Sequence, residues 1–240
     1  MLGTKLASFS MAAVLLLFVV QTQGAATGQT QRRGPVMEPI NIAILIQDDL
    51  VSQVSNEIGV TKQFIRSLPA GSRVMVGYIT VGALQVRQPF TTDLAKAAQS
   101  LRIPVASTSS SPFNPYTELI EALRKFPTDS NNADVVLIIS DGLDVSRGFD
   151  SSAAGHTLDL ERAISEANKR GVAVFSFYAP SVGLTSHSRL AASYGQSSLN
   201  RLGQETGGKA FFQGTTGFVT FDSYFARLRE ALNRQFARAS

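Results

Sequence analysis

The sequence contains no cysteine and only two histidines, His156 and His187. The absence of cysteine excludes disulfides, thiolate metal sites, cysteine nucleophiles and a lipid-modified cysteine, so stability has to come from packing. The two histidines fall in different polar segments, which leaves poor material for a zinc site or a Ser-His-Asp triad. Glycine-rich phosphate loops of the Rossmann or P-loop kind are also missing. The sequence therefore carries no familiar signature of a nucleotide-binding or hydrolytic enzyme.

Charged residues are few, and neither sign dominates. They make up 17% of the 240 residues, whereas 44% are hydrophobic, and the net charge is +4. A chain of this length and composition can bury one sizeable core, which predicts a single folded domain. The positive excess is mild and scattered, so we expect no nucleic-acid partner.

The first 26 residues have the pattern of a secretory signal peptide. Lys5 precedes the apolar run 11–20, and small residues follow at Gly24, Ala25 and Ala26. The run is about half of the roughly 20 residues that a membrane-spanning helix needs, although a retained membrane anchor stays the alternative. We expect a secreted or periplasmic protein with no membrane span after cleavage, a flexible leader over residues 27–39, and a folded domain over residues 40–238.

Four short apolar runs rich in β-branched residues predict buried parallel strands, at residues 40–46, 73–80, 133–140 and 171–178. Residues 83–90 predict an antiparallel edge strand and residues 209–213 a short strand. Helical patterns cover residues 54–68, 93–101, 115–126, 158–170 and 197–206, and a closing helix follows residue 218. Residues 180–195 are expected to form a polar loop. This order predicts a doubly wound α/β fold, with a mostly parallel sheet, one antiparallel edge strand and helices on both faces.

Oxygen-bearing side chains follow the predicted strand ends, where an open parallel sheet forms its binding crevice. Asp48, Asp49 and Ser52 come after the first strand, and Asp141 ends the strand at residues 133–140. Thr117 lies at the start of the helix at residues 115–126. Asp, Ser and Thr oxygens are hard ligands that suit Mg²⁺. These five residues are therefore candidate metal ligands.

The sequence resembles the von Willebrand factor type A family over residues 40–236. Residues 134–144 look like the Asp-bearing strand end of that family, and residues 116–123 look like its Thr-bearing helix start. Residues 199–211 are typical of bacterial members. The resemblance implies a VWA/Rossmann-like fold and a metal-ion-dependent adhesion site. A bound Mg²⁺, Mn²⁺ or Ca²⁺ would leave one coordination position for an acidic side chain of a partner protein.

The first loop departs from the Asp-x-Ser-x-Ser motif of the family. Counted from Asp48, Ser52 matches the second serine but Leu50 replaces the first. Counted from the strand end, Gln47 takes the aspartate position, Asp49 the first serine position and Val51 the second. Either register lacks one oxygen, so the adhesion site is degenerate. An ion would then be held more weakly, by other ligands, or not at all.

Each candidate ligand also has an ordinary structural explanation. Asp141 can accept backbone N–H bonds in a turn, and Thr117 can serve the first turn of its helix. Asp48 and Asp49 can interact with the dipole of the following helix. Asp144 is expected to be a loop residue, and the serine-rich run 107–111 a flexible loop beside the site.

Three functions remain open on the sequence. The first is a secreted module for adhesion or assembly that binds a protein partner through a divalent metal. The second is a metal-free scaffold that has abandoned the ion. The third is a Mg²⁺-dependent phosphoester hydrolase, for which the sequence shows neither a general base nor a phosphate cradle. We therefore expect a binding protein and not an enzyme.

Overall fold

The computed structural model describes residues 37–105, 113–149, 157–214 and 220–236, which all belong to one compact unit, Pro35–Ser240. The predicted signal peptide, residues 27–36 of the predicted leader, the serine-rich run 107–111, His156 and the predicted domain end at residue 238 lie outside the described residues. None of the described helices is long and apolar enough to cross a bilayer.

Six strands and seven helices are present in the described residues. The strands are β1 (Ile40–Gln47), β2 (Arg73–Thr80), β3 (Ala83–Thr91), β4 (Ala133–Ser140), β5 (Ala173–Tyr178) and β6 (Ala210–Phe211). The helices are α1 (Val54–Arg66), α2 (Leu94–Gln99), α3 (Pro115–Leu123), α4 (Leu158–Arg170), α5 (Leu184–His187), α6 (Arg189–Glu205) and α7 (Phe221–Phe236).

The strands form a single sheet in the order β3-β2-β1-β4-β5-β6, in which only β3 runs antiparallel to its neighbour. Chain connections run outward in both directions from the β1–β4 pair, which is the pattern of a doubly wound sheet. The predicted fold class is therefore confirmed.

The two faces of the sheet bury separate layers of helices. The even-numbered isoleucines of β1 pack with α1, α2 and α7, whereas Ala43 and Leu45 pack with α3, α4 and α6. Alternate residues of a strand point to opposite faces, so a continuous apolar run covers both layers. Under α7, the ring of Phe177 contacts four other aromatic rings, those of Phe211, Phe221, Tyr224 and Phe225.

The predicted loop at residues 180–195 is wrong. Residues 184–187 form α5, and α6 begins at Arg189 after Ser188, whose hydroxyl accepts the Ala191 N–H as an N-cap. Ala191 and Ala192 are buried, so packing against the sheet stabilises a helix start that is rich in small and polar residues. Two strands are also shorter than predicted. β5 begins at Ala173 because Gly171 ends α4 at φ 67°, and β6 has two residues.

Both outer edges of the sheet are irregular. β3 carries Arg87 and Pro89, and its pairing with β2 shifts register twice, between Val74 and Val76 and again between Val76 and Gly77. The opposite edge consists of the two residues of β6. Long, flat, unpaired strand edges are therefore missing from the described part of the sheet.

Candidate functional site

The candidate site lies where β1 and β4 end side by side. Their parallel register runs from Ile40 opposite Ala133 to Ile46 opposite Ile139, so Gln47 ends beside Ser140 and Asp141. This is also where the strand order reverses, the usual position of a crevice in an open α/β sheet. β1 ends at Gln47, and Leu50 is buried and pairs with Ser181. The first loop thus follows the strand-end register, with Gln47 in the aspartate position.

The side-chain amide of Gln47 links three residues of the site. Its Oε1 accepts hydrogen bonds from the Ser140 hydroxyl at 2.5 Å and from the Asp141 N–H at 3.2 Å. Its Nε2 donates to Asp49 Oδ1 at 2.7 Å. Gln47 is 1% exposed, so these bonds form away from water. We call Gln47, Asp49, Ser140 and Asp141 the amide centre.

Asp141 is buried, and both of its carboxylate oxygens already accept hydrogen bonds. Oδ1 accepts the Leu143 N–H at 3.1 Å, and Oδ2 accepts the Thr185 hydroxyl at 3.2 Å. The Thr185 oxygen also accepts the Ser181 N–H at 2.8 Å. Burial raises the pKa of Asp141 above its usual value, which these hydrogen bonds partly offset.

Asp49 is the second buried acid of the amide centre. Burial, followed by repulsion from the negative charge of Asp141, raises the pKa of Asp49 to about 7. Its backbone oxygen accepts the Val182 N–H at 2.8 Å, which ties the loop after β1 to the loop after β5. Asp49 and Asp141 are therefore two interacting buried acids that the Gln47 amide links.

Asp48 is directed into a different interaction. Its two carboxylate oxygens accept hydrogen bonds from the two terminal nitrogens of Arg102, at 2.5 and 2.8 Å. Oδ1 also accepts a hydrogen bond from the Val105 N–H at 3.0 Å. The Arg102 guanidinium lies over the Tyr78 ring at 4.0 Å from its centroid. The Tyr78 hydroxyl in turn donates to the Arg102 carbonyl and accepts its N–H. This Asp48–Arg102–Tyr78 cluster separates Asp48 from the amide centre.

Ser52 and Thr117 are exposed. The Thr117 N–H donates to Asn114, which caps α3, so the helix-start role of this residue is present. Next to Thr117, the Tyr116 hydroxyl donates to the Gly142 carbonyl at 2.6 Å and connects α3 to the end of β4. Asp144 accepts both the N–H and the hydroxyl of Ser146 within its loop.

Two glycines let α6 approach the end of β4. Gly142 has φ 73°, and a Cβ there would lie 2.4 Å from the Gly195 carbonyl oxygen. A Cβ on Gly195 would lie 1.9 Å from the Asp141 carbonyl oxygen. No side chain fits either gap. The backbone contact thereby fixes Asp141 against α6.

The donor atoms of the site do not fit a fully protein-ligated ion. Mg²⁺ prefers an octahedron of oxygens at about 2.0 to 2.1 Å. Gln47 Oε1 and both oxygens of Asp141 already accept hydrogen bonds, and both oxygens of Asp48 bind Arg102. In the described ranges, no group of three or more Asp, Glu, His or Cys side chains could hold a metal. Of the five candidate ligands, Asp49 and Asp141 belong to the amide centre and Asp48 binds Arg102, and metal binding by the set stays a prediction.

From the sequence, Gln47 was expected only to lack the carboxylate of the family motif. The sequence did not predict that Ser181 and Thr185 support Asp141. A strand end followed by an Asp two residues later was the available signal for Gln47. Thr185 had no signal, because residues 180–195 were expected to be a loop. Tyr178, at the end of β5, also lies near Asp141. Burial raises the pKa of Tyr178, and the negative charge of Asp141 raises it further. Its buried hydroxyl has no hydrogen-bond partner.

Large exposed apolar side chains lie at the same edge of the sheet as the site. Among the described residues, eight such side chains are between 36% and 65% exposed. All eight lie on segments that leave the carboxyl ends of the strands or begin the helices there: Val81, Ile103, Val105, Phe149, Leu158, Leu184, Leu190 and Phe212. The connections at the opposite edge of the sheet, residues 67–72, 92–93, 124–132, 171–172 and 206–209, carry none. We call these eight residues the apolar rim.

No known protein-family profile matches the chain, and no curated protein sequence matches it. Solved structures do. An aerotolerance-related membrane protein from Bacteroides fragilis is 12% identical, with a TM-score of 0.56 over 82% of this chain and 100% of that one. The conserved hypothetical protein BatB from Bacteroides thetaiotaomicron is 13% identical, with a TM-score of 0.58 over 81% and 98%. The human COPII-coat protein Sec24c is 13% identical, with a TM-score of 0.52 over 82% of this chain and 32% of that one.

At such low identity these likenesses concern the fold alone. The chain has a von Willebrand factor type A-like fold, as the sequence resemblance predicted.

Proposed function

We propose that this protein is an exported, non-catalytic module that binds a partner protein at the carboxyl edge of its sheet. The observation that carries the proposal is the apolar rim. Single exposed apolar residues are normal on a protein surface, but a set that shares one edge of a fold favours an interaction site there. Here the described large apolar residues that are exposed share one edge of the sheet.

The chemistry of the partner follows from the rim. Leucine, isoleucine, valine and phenylalanine side chains gain from burial against other apolar groups, at about 25 cal/mol per Å² removed from water. The partner is therefore a protein surface or segment with its own exposed apolar side chains. The amide centre beneath the rim holds the loops after β1, β4 and β5 in place, so the surface is preorganised for binding.

Turnover has little support in the described residues. Asp141 is enclosed by hydrogen bonds, and Asp48 is neutralised by Arg102, so neither is free to activate a water molecule. Phosphoesters cleaved at a rate that falls in an Asp141→Asn variant would support the hydrolase alternative instead.

Export rests on the signal-peptide pattern of residues 1–26 and is consistent with the membrane protein from Bacteroides fragilis that shares the fold. Fractionation of the source cells with mass measurement of the protein tests this part. A shortened protein outside the cytoplasm is expected, a full-length membrane-bound one would indicate an anchor, and a full-length soluble one inside the cell would contradict export.

The binding experiment compares variants at opposite edges of the sheet. Ile103→Asp with Leu190→Asp places charge on the rim, whereas Thr128→Asp places it on an exposed position between α3 and β4. A partner captured by the immobilised protein from the extracytoplasmic fraction is expected to be lost with the first variant and kept with the second. Equal binding by both folded variants would overturn the proposed surface.

The metal-dependent form of this function, in which an acidic side chain of the partner completes the coordination of Mg²⁺, Mn²⁺ or Ca²⁺, is less favoured by the occupied donor atoms. Capture in the presence of a chelator distinguishes the two forms. We expect capture to persist, and chelator-sensitive capture that Asp141→Ala also abolishes would favour the metal-dependent form.

A further inference from the structure

We infer that the side-chain amide of Gln47 takes the structural place of a divalent ion, and that a carboxylate at this one position would create a metal requirement. The inference builds on the metal-free form of the proposed function. It concerns what holds the candidate site together, and it can be tested with the metal alone.

The amide centre balances hydrogen-bond donors and acceptors. An ion at this edge would draw together oxygens from the ends of β1 and β4. Gln47 performs that task with hydrogen bonds, because its oxygen accepts from Ser140 and Asp141 while its nitrogen donates to Asp49. An amide carries both a donor and an acceptor, whereas an ionised carboxylate carries acceptors only. The amide therefore satisfies both sides without a cation, which an ionised carboxylate cannot do.

The charges of the site also favour an uncharged side chain at position 47. Asp49 and Asp141 are both buried, and repulsion from Asp141 acts on Asp49. A carboxylate at position 47 would face Asp49 where the Gln47 nitrogen now donates. Three acidic groups would then meet in a buried space, which is unfavourable unless a cation or protons compensate. Three carboxylates on converging loops are also the kind of donor set that hard divalent cations bind.

The nearby cationic side chain, that of Arg102, is already paired with another acid. Arg102 is fixed by two bonds to Asp48 and by the Tyr78 ring beneath it. Moving it to the amide centre would break this cluster. Apart from protonation, a metal ion from solution is then the remaining compensation for a new carboxylate at position 47.

The experiment is a Mn²⁺ titration by calorimetry, together with thermal unfolding in a chelator and in millimolar Mn²⁺, on the full chain. For the wild-type protein we expect no heat of binding and the same unfolding midpoint in both solutions. For Gln47→Glu we expect a midpoint several degrees lower in chelator, recovered with Mn²⁺, since a ligand that binds only the folded state stabilises it.

Gln88→Glu is the matched control. Gln88 is also buried, and its Nε2 donates to the Pro89 carbonyl, so the variant loses a comparable donor outside the amide centre. Its unfolding midpoint should fall without any response to Mn²⁺. An equal response of both variants to Mn²⁺ would overturn the inference, as would a Gln47→Glu variant that folds and ignores the ion.

If Gln47→Glu does not fold, Mn²⁺ binding by the wild-type protein tests the inference instead. Mn²⁺ binding by the wild type that is lost in Asp49→Asn or Asp141→Asn would show that the amide does not replace the ion. Absence of such binding supports the inference. Neither outcome depends on a partner, so failure here is distinguishable from failure of the proposed protein-binding surface.

Discussion

Replacement of Asp49 by asparagine should change how the stability of the protein depends on pH. Asp49 is buried beside Asp141, and together burial and that neighbour raise its pKa from 3.8 to about 7. Asparagine keeps the oxygen that accepts from Gln47 and cannot ionise. The substitution therefore removes a titration while leaving the shape of the amide centre nearly unchanged.

The sign follows from the two states of the chain. In the unfolded chain Asp49 loses its proton near its ordinary pKa, whereas in the folded protein it keeps the proton up to about pH 7. Below pH 4 this group therefore has little effect on stability. Between pH 4 and pH 7 its contribution lowers the free energy of unfolding steadily as the pH rises. A difference of about three units amounts to on the order of 4 kcal/mol between pH 4 and pH 8. Asp49→Asn should avoid this loss.

The assay is urea-induced unfolding of the wild type and the variant at several pH values. The free energy of unfolding of Asp49→Asn, relative to that of the wild type, should rise from pH 4 to pH 8. Asp129→Asn is the control: the exposed Asp129 pairs with Arg73, which lowers its pKa below the ordinary value, so its difference from the wild type should stay nearly constant from pH 4 to pH 8. A difference between Asp49→Asn and the wild type that stays constant with pH would refute the reasoning.

Three further experiments have definite expectations. Glu118→Gln should stabilise the protein above pH 7 but not at pH 4 in the same assay. Burial raises the pKa of Glu118 to about 7, and its Oε2 has no hydrogen-bond partner. An equal gain in stability at both pH values would contradict this expectation. A double-mutant cycle of Asp48→Ala and Arg102→Ala should give a coupling energy of about 2 kcal/mol for this largely enclosed pair, and a coupling near zero would show that the pair is solvated. Gly142→Ala should lower the free energy of unfolding, measured with denaturant, by about 3 kcal/mol or more, and Gly82→Ala should lower it by about 1 kcal/mol. Both residues have positive φ, but a Cβ on Gly142 would lie 2.4 Å from a backbone oxygen, whereas a Cβ on Gly82 would have no neighbour within 4 Å. Equal losses of stability would argue against the close approach at Gly142.

Much of the fold was readable from the sequence because its strands have a simple chemistry. β1 and β4 are continuous runs of aliphatic residues, and this pattern specifies strands that are covered on both faces. Gly171 marked the end of α4, and its left-handed conformation explains why. α6 was predicted only from residue 197 onward, because residues 189–196 are mostly small or polar and are typical of a loop. Burial of Ala191, Ala192 and Gly195 stabilises the helix over these residues.

The location of the candidate site was predictable, but its bonding was not. Strand order alone placed Gln47 and Asp141 at one edge. Nothing in the sequence indicated that Asp48 would turn toward Arg102, because that pairing joins residues 54 positions apart. The role of Gln47 likewise depends on which of two adjacent registers the loop adopts, and the hydrogen bonds of Gln47 to Ser140 and Asp141 show that it adopts the strand-end register.

The irregular sheet edges have a consequence for the behaviour of the protein at high concentration. Strands this apolar could act as templates for the stacking of other chains if a long, flat edge were exposed. On β3, Pro89 offers no N–H, Arg87 adds a charge, and the two register shifts bend the strand away from a flat template. β6 offers only two residues for a new strand to pair with. The protein can therefore display an apolar rim around its crevice without inviting fibre growth from the sides of its sheet.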